Sequence, residues 1–553
     1  MLERAAMLVW AQRGAFAVLI VFAVFVRADA LGDPNYWYDE AITSLRVAGH
    51  TEQQVAALAA THPWFPIGEL RQFVEVNEQT GLSDTIGSLA GEDPQHAPLY
   101  YVTARIWARV FGSSVEVGRG LAVLMSLFAL AAMYWLCLEL FVKTGAFTSR
   151  PVCWLGVLAM ALSPYQVAVA REHREYSMWV LAMTLGCAAF LRALRKNTRN
   201  AWILYGAAMA VSLYTHLFSA IALAALGAFL LCKERFRLTR AVWAFAGASA
   251  AAGLSCLPWL FVLLARRGTA ENGLGWVQQF THGRFQLRFS ISPAIQLANV
   301  SFWDSGEILM DLPRISQAAT LFVPVIVLIA SWWFARGPRK VCAGFAAALI
   351  ASVSGTLFAV DFLTGSNSGW AMRYAVPSNL GWLLALTSLL AVATIDLGKW
   401  TGFVRALAGV FVLIGAISAV IVHDEKHTFL KAWEPNEEIV DFLNTNARAA
   451  VVSDDFVGSV LTLSHEVRDD LPLSWRARCY SCPRVLEPLV DIPLPGGAAG
   501  QTFFFRSWVN VPFVLLQPLV ERFFSDQLGD PRFHTRPVEL GHPQGSLFLL
   551  TPR

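Results

Sequence analysis

Charge is what this 553-residue chain has least of. Only 15% of its residues are Asp, Glu, Lys or Arg, against 56% hydrophobic, and the mean hydropathy is +0.48. That excludes an ordinary soluble globule, whose surface needs more polar cover. There is no sustained basic tract: the net charge is +3, and the basic residues fall in short clusters between apolar segments. The chain therefore carries no footprint for nucleic acid, and none is expected as a partner. Cysteines are few and poorly patterned. Of the eight, Cys137, Cys153, Cys187, Cys232, Cys256 and Cys342 lie in or beside apolar segments and read as small hydrophobes. Cys479 and Cys482 form a lone CxxC in the polar tail. A structural zinc site needs two further ligands at matching spacing, and no second CxxC exists. A local disulfide between the two is left open. Internal repeats, low-complexity segments and a Rossmann-like βαβ unit are all missing.

What the chain has in abundance is long apolar runs. A bilayer takes about 20 such residues per helix, so this reads as a polytopic α-helical membrane protein. Apolar segments occur at 14–31, 119–142, 151–170, 176–194, 200–218, 219–232, 240–264, 317–335, 340–362, 375–395 and 403–422. The short basic connections are Lys143 to Arg150, 192–200, 233–240, 335–340 and Lys399 to Arg405. By the positive-inside rule they face the cytoplasm. Eleven spans then put the N-terminus inside. Loops 32–118, 171–175, 265–316 and 361–374 and the tail lie outside, in a cell inner (plasma) membrane. The first segment also has signal-peptide features in Arg4, Arg13 and Ala28-Asp29-Ala30, and Asp39 lies outside either way. Segment 98–112 is short and carries Arg105 and Arg109, so it reads as an amphipathic helix along the outer interface. The division expected is a membrane domain over 1–422 and a small extracytoplasmic α/β domain over 423–553. In the tail, helix-like stretches alternate with strand-like ones such as "AAVVSDD" and "TFFFRSW".

The charges that do exist collect on one face. Asp39 and Glu40 follow the aromatics Tyr36, Trp37 and Tyr38 in the first outer loop. Glu92, Asp93 and His96 sit in "GEDPQHAPLYY". Arg119 opens the second span, and "REHREY" (171–176) packs four charges and a histidine between two spans. His216 lies at a helix tip, and Arg373 and Tyr374 at the outer end of another span. Taken singly, Asp39 reads as a solvated flank, Arg119 and Arg373 as side chains snorkelling to headgroups, and the histidines as structural. Taken together they differ, because charge at membrane depth is costly. Carboxylates in one loop facing arginines at several span ends suit a site that binds an anionic lipid head and deprotonates something beside it.

The stretches "YWYDEA", "DPQHAPLYYVTARIWARVFG", "VGRGLAVLMSL" and "SPYQVAVAREHREYSMWVLA", in this order, resemble the GT-C polyprenyl-phosphate-sugar glycosyltransferases. The nearest group is the bacterial relatives of protein O-mannosyltransferases and lipid A aminoarabinose transferases. "RYAVP" (373–377) is similar to a late motif of such chains. The likeness covers residues 10–220 well and 370–395 loosely; the tail carries no motif. It implies a GT-C-like fold and an acidic catalytic base at Asp39, with Glu40 beside it. The family's D-x-H-P-P-L-Y-Y stands here as Asp93-Pro94-Gln95-His96-Ala97-Pro98-Leu99-Tyr100-Tyr101. Asp93 lies one residue further from His96 than in the family, so Glu92 is an alternative for its role. Glu172, Arg174 and Tyr176 match E-x-R-x-Y.

The implied reaction moves a sugar from a polyprenyl-phosphate donor to an acceptor hydroxyl on a lipid, glycan or protein, outside the membrane and with inversion. Asp39, Glu40 and Asp93 are the catalytic candidates. Glu92, His96, Tyr100, Arg119, Glu172, Arg174, Tyr176, His216, Arg373 and Tyr374 are the substrate-binding ones. Arg119, Arg174 and Arg373 suit a phosphate, since guanidinium forks match its oxygens. A divalent metal near Asp39, Glu92, Asp93 and His96 is left open. The rival readings are a secondary transporter or lipid-linked sugar flippase and a non-catalytic scaffold. The first predicts ionisable groups at mid-membrane, and the second leaves the clustered charges unexplained.

Overall fold

The computed structural model describes residues 2–32, 36–147, 150–273, 285–303, 339–395, 398–424, 437–453, 455–475, 501–506, 533–537 and 546–552, with the single positions 325 and 477. It is mostly helical. Among the described residues five helices are long and apolar enough to cross a membrane: Val115–Val142, Tyr176–Lys196, Lys340–Thr364, Met372–Val392 and Gly398–His423. Two bent pairs raise the number to seven if each is one span. The chain is thus multi-pass, but these helices do not reach the eleven spans read from hydropathy. Segment 317–335 lies outside the described residues, apart from Val325. Ser219–Lys233 is an apolar helix of only 15 residues.

The bent pairs have a local cause. Pro164 comes directly after Ser163 and Pro258 two residues after Cys256, and a proline has no N–H for the helix before it. The segments 151–170 and 240–264 therefore break, with bends of 62° and 51°. The first break frees carbonyls inside the apolar core, where an unpaired group costs dearly. Arg27, fully buried on the first helix, answers this. Its guanidinium donates to Met160 O at 3.1 Å and Ala161 O at 3.0 Å, and to Ser126 Oγ at 3.0 Å. Elsewhere small residues let spans approach. At Gly381 an added Cβ would lie 2.7 Å from Ile350 N and 2.8 Å from Ala346 O, so the helices Lys340–Thr364 and Val376–Val392 touch backbone to backbone.

The loop after the first helix folds into its own helices: Tyr38–Ala48 (the loop helix), Glu52–Thr61, Leu82–Glu92 and Leu99–Phe111. The last is the amphipathic helix read from 98–112. Tyr100, Tyr101, Ala104 and Arg105 are buried, while Ile106, Val110 and Phe111 are more than half exposed. Arg105 holds it to the rest of the loop by donating to Val47 O at 2.9 Å and to Thr80 O and Thr85 Oγ1.

The tail has a mixed sheet with an unforeseen member. Strand Ala449–Ser453 pairs in parallel with Pro472–Trp475 on one side and Gln501–Arg506 on the other. Ser546–Pro552 and Phe533–Pro537 extend the sheet antiparallel beyond Gln501–Arg506. At the opposite edge the two-residue strand Phe65–Pro66, from the first loop, pairs antiparallel with Pro472–Leu473. The crossover helix Val457–Glu466 (the tail helix) packs on the loop helix. The stretch "FVLLQPLVERFFSDQLG" and Cys479 and Cys482 lie outside the described residues.

Replacing Arg27 by Met removes the donor that satisfies Met160 and Ala161. Each carbonyl left unpaired costs about 1–3 kcal/mol. The thermal midpoint of Arg27→Met in detergent is expected to drop measurably; an unchanged midpoint would show that the break is satisfied some other way.

Candidate active site

The loop helix begins at Tyr38, with Trp37 at its N-cap in an extended conformation. Helical spacing puts Asp39, Thr43 and Arg46 along one face, and Glu40 and Ser44 along the neighbouring one, where the Tyr36 hydroxyl donates to Glu40 O at 3.3 Å. These faces do different things.

The sequence suggests Glu40 as a catalytic acid beside Asp39, and Arg119 as a phosphate ligand. The structure pairs them with each other. Arg119 Nε and Nη2 donate to Glu40 Oε1 and Oε2 at 2.8 and 2.7 Å, and the backbone N–H of His173 donates to Oε1 at 2.8 Å. Both side chains are inaccessible to solvent. A third Arg119 nitrogen donates to Leu31 O at 2.7 Å. The pair joins loop helix, span and turn, and its bonding capacity is largely used. Glu172 is fully buried in the same turn, and its charge acts on Arg119.

Glu92 and Asp93 are likewise engaged. Arg46, buried and not singled out in the sequence, donates to Glu92 Oε2 at 2.6 Å and Asp93 Oδ2 at 2.6 Å, and lies 3.3 Å from Glu52 Oε1. Burial pushes the Asp93 carboxyl up, and the charges of Arg46, His96 and Arg174 with the Arg46 hydrogen bond together outweigh it and hold the group below the usual carboxylate range. This cluster closes the loop rather than meeting Asp39. Its sequence signal is an arginine seven residues after Asp39 on an amphipathic helix.

Around Asp39 the bonding is looser. Its Oδ2 is 3.4 Å from Arg373 Nη2 and 3.8 Å from Arg174 Nη2, and its side chain stays 20% exposed. Arg174 Nη1 donates to Thr43 Oγ1 at 2.8 Å. The Arg373 guanidinium lies over the Trp37 ring at 5.3 Å and the Tyr374 ring at 5.7 Å. Tyr165 helps set this arginine, its hydroxyl donating to the carbonyls of Met372 and Arg373. Arg174 also lies over Tyr176, at 5.7 Å. So Asp39, Arg174, Tyr176, Arg373 and Tyr374 do come together. Trp37, Thr43 and Tyr165 join them from outside the predicted set.

The histidines serve the walls. His96 Nδ1 lies 3.2 Å from Glu175 Oε1. Burial opposes the Glu175 charge, and Arg174 and His96 outweigh it and hold its carboxyl low. Glu175 is not among the candidates read from sequence, although "REHREY" contains it. His216 stacks flat on Trp179, ring centroids 3.9 Å apart, and its Nδ1 accepts from Phe218 N. Several buried polar atoms have no hydrogen-bond partner among the described residues: Trp37 Nε1, the Tyr100 and Tyr176 hydroxyls, and both His173 ring nitrogens. Among the described residues no three His, Cys, Asp or Glu side chains group as a metal site. Glu92 and Asp93 face Arg46, and His96 faces Glu175. The residues left open for a divalent ion do not fit one, and the chemistry drawn from them uses none.

Burial pushes the His173 imidazole down to about 4. The unfolded chain therefore takes up a proton below about pH 6.5 that the folded chain refuses. The resulting stability is present above that pH and lost as pH falls toward 4. The thermal midpoint in detergent is expected to fall across this window, with a shallower slope in His173→Gln; an equal slope would remove His173 as a source.

Residues 95–261 match the dolichyl-phosphate-mannose-protein mannosyltransferase family. No curated protein matches the chain in sequence. Among solved structures, ArnT from Cupriavidus metallidurans in the apo state aligns with TM-score 0.53 at 13% identity, over 98% of each chain. The same protein bound to undecaprenyl phosphate aligns with TM-score 0.51 at 13% identity, over 97% of this chain and 98% of that one. The matched stretch contains all but the first two residues of "DPQHAPLYY", the whole of "REHREY", and extends past His216. The chain is thus similar to the GT-C superfamily, by family match where the motifs lie and by an ArnT-like fold over nearly its whole length.

Proposed function

We propose that this protein is a membrane glycosyltransferase that moves a sugar from a polyprenyl-phosphate donor to an acceptor hydroxyl on the extracytoplasmic face. The similarity to GT-C glycosyltransferases supports lipid-linked sugar transfer in general. The observation that carries the rest is the arrangement of Asp39 between Arg174 and Arg373, at 3.8 and 3.4 Å. These distances exceed those of the Glu40 and Arg46 pairs, and the Asp39 side chain keeps some exposure, which supports this as the place where an arriving anion exchanges with the carboxylate.

The donor's phosphate takes that place. It engages Arg373 and Arg174 and leaves the Asp39 carboxylate facing the acceptor. Asp39 accepts the proton of the acceptor hydroxyl as its oxygen attacks the anomeric carbon. The bond from that carbon to the phosphate oxygen breaks, and the electron pair leaves with the polyprenyl phosphate. A single displacement inverts the anomeric centre. Negative charge grows on the departing phosphate, and arginines already in position stabilise it more in the transition state than in the ground state. Trp37, Tyr176 and Tyr374 flank the arginines and supply rings against which a sugar can lie. Glu40, Arg119, Glu92 and Asp93 act by holding the loop. The membrane is the cell's inner membrane, with the N-terminus cytoplasmic and the tail outside, as the basic loops favour.

The test is transfer from radiolabelled lipid-linked sugars into native membrane extract by purified protein. Asp39→Asn is expected to lower the rate roughly 10²–10⁴-fold, the usual worth of a general base, with the fold intact. Arg373→Lys loses the planar fork and is expected to lower kcat more than it raises the donor KM. Wild-type transfer by Asp39→Asn would end its role as base. Absence of transfer from every lipid-linked donor by the wild type would favour a flippase, read by a lipid-translocation assay.

A further inference from the structure

The first turn of the loop helix has no side-chain cap. Contacts from other elements hold it instead. One is the Glu40–Arg119 pair. Another comes from the tail. Gly458, in the first turn of the tail helix, is buried against the face of Tyr38. A Cβ built on Gly458 would lie 2.5, 2.6 and 2.8 Å from Tyr38 Cε2, Cδ2 and Cζ. These are ring atoms of a rigid side chain, so no small rotation of a flexible end relieves the overlap. Tyr38 is the residue immediately before Asp39 and is itself buried.

The contact is part of a continuous seam. Val457, Val460 and Leu461 of the tail helix share a core with Ala41 and Leu45 of the loop helix. The His465 ring packs against Tyr36, centroids 4.8 Å apart. At the other end of the seam Gly68 also meets the tail closely. Its added Cβ would lie 2.8 Å from Asp469 Cβ, and its N–H donates to Asp469 O at 3.0 Å. The difference that matters is their neighbour: Gly458 abuts the residue joined to Asp39 through the backbone, and Gly68 does not.

We infer that the tail helix sets the position of Asp39 through the Gly458–Tyr38 contact, so that Gly458 and Tyr38 are positioning residues for the transfer reaction. This rests on Asp39 being the base. An ordinary carbon–carbon contact needs about 3.5 Å, so a methyl at 458 displaces the Tyr38 ring, and with it the first turn, by about 1 Å. Misplacement of a reacting group on that scale costs as much as about 10²-fold in rate. The arginines that hold the donor stand on other elements and keep their places.

The experiment compares kcat, donor KM and thermal midpoint for full-length Gly458→Ala, Gly68→Ala, Tyr38→Leu and the double variant Gly458→Ala/Tyr38→Leu. Gly458→Ala is expected to lose about 10–100-fold in kcat with donor KM unchanged. Gly68→Ala is expected to lower the midpoint while its folded fraction keeps the wild-type kcat. The double variant is expected to recover kcat relative to Gly458→Ala, because a leucine in place of the Tyr38 ring leaves room for the methyl. That rescue also decides the matter if Gly458→Ala alone folds poorly. Wild-type kcat in Gly458→Ala, an equal kcat loss in Gly68→Ala, or a double variant no better than Gly458→Ala would each overturn the inference. Asp39→Asn separates the two readings. If it transfers at the wild-type rate, the base assignment falls and takes this inference with it. If it is inactive while Gly458→Ala is fully active, this inference alone falls.

Discussion

The buried pair of Arg119 and Glu40 is the constraint on which the site depends. Two charges out of water are tolerated only when geometry and extra hydrogen bonds satisfy them, and breaking such a pair typically costs about 3–5 kcal/mol. Here the fork is bidentate and the His173 N–H adds a third donor to Glu40. The pair therefore pins a loop helix, a span and a turn at one point. Its neighbours conform to it. A Cβ on Gly118 would lie 2.0 Å from His173 Nδ1, so only glycine lets the turn lie this close to the span. With Glu40 fixed, Asp39 is carried one step round the helix, toward Arg174.

The charges of this face fall into two groups by distance. Arg46 and Arg119 hold their nearest carboxylates at 2.6 and 2.7 Å with little solvent. Asp39 stands 3.4 and 3.8 Å from its arginines and keeps some exposure. The first group ties together the elements that carry the second. In the proposed reaction, ions held on such elements rearrange little when a substrate arrives, the condition electrostatic catalysis requires.

Much of this is legible in the sequence, and what is not has a common cause. The acid after the first span, the "REHREY" turn and the "RYAVP" motif point to Asp39, Arg174, Tyr176, Arg373 and Tyr374, and these five do meet. In sequence Glu40 and Asp93 read as catalytic candidates and Glu92 and Arg119 as substrate-binding ones, because a salt bridge between positions 46 or 79 residues apart leaves no local mark. Arg46 and Glu175, which engage acids and bases of the loop, escape notice for the same reason. Hydropathy runs on smoothly through the bends after Leu162 and Ser255, so it does not show where a span breaks. The edge strand Phe65–Pro66 is two residues long and half proline, below any pattern a sequence can show.

That short strand has a consequence for how the molecule comes into being. Arg71, just after it, donates to Ser464 O across 393 positions of chain. At a ribosomal pace of about 5–20 residues per second, the loop waits roughly 20–80 s for its far partner to be made. Until then its sheet edge and the apolar face of its first helix have nothing to close on. A chain cut short before the tail keeps the spans, the arginines and Asp39, yet lacks the helix that packs on the loop helix, so that side of the loop is covered only when synthesis is complete.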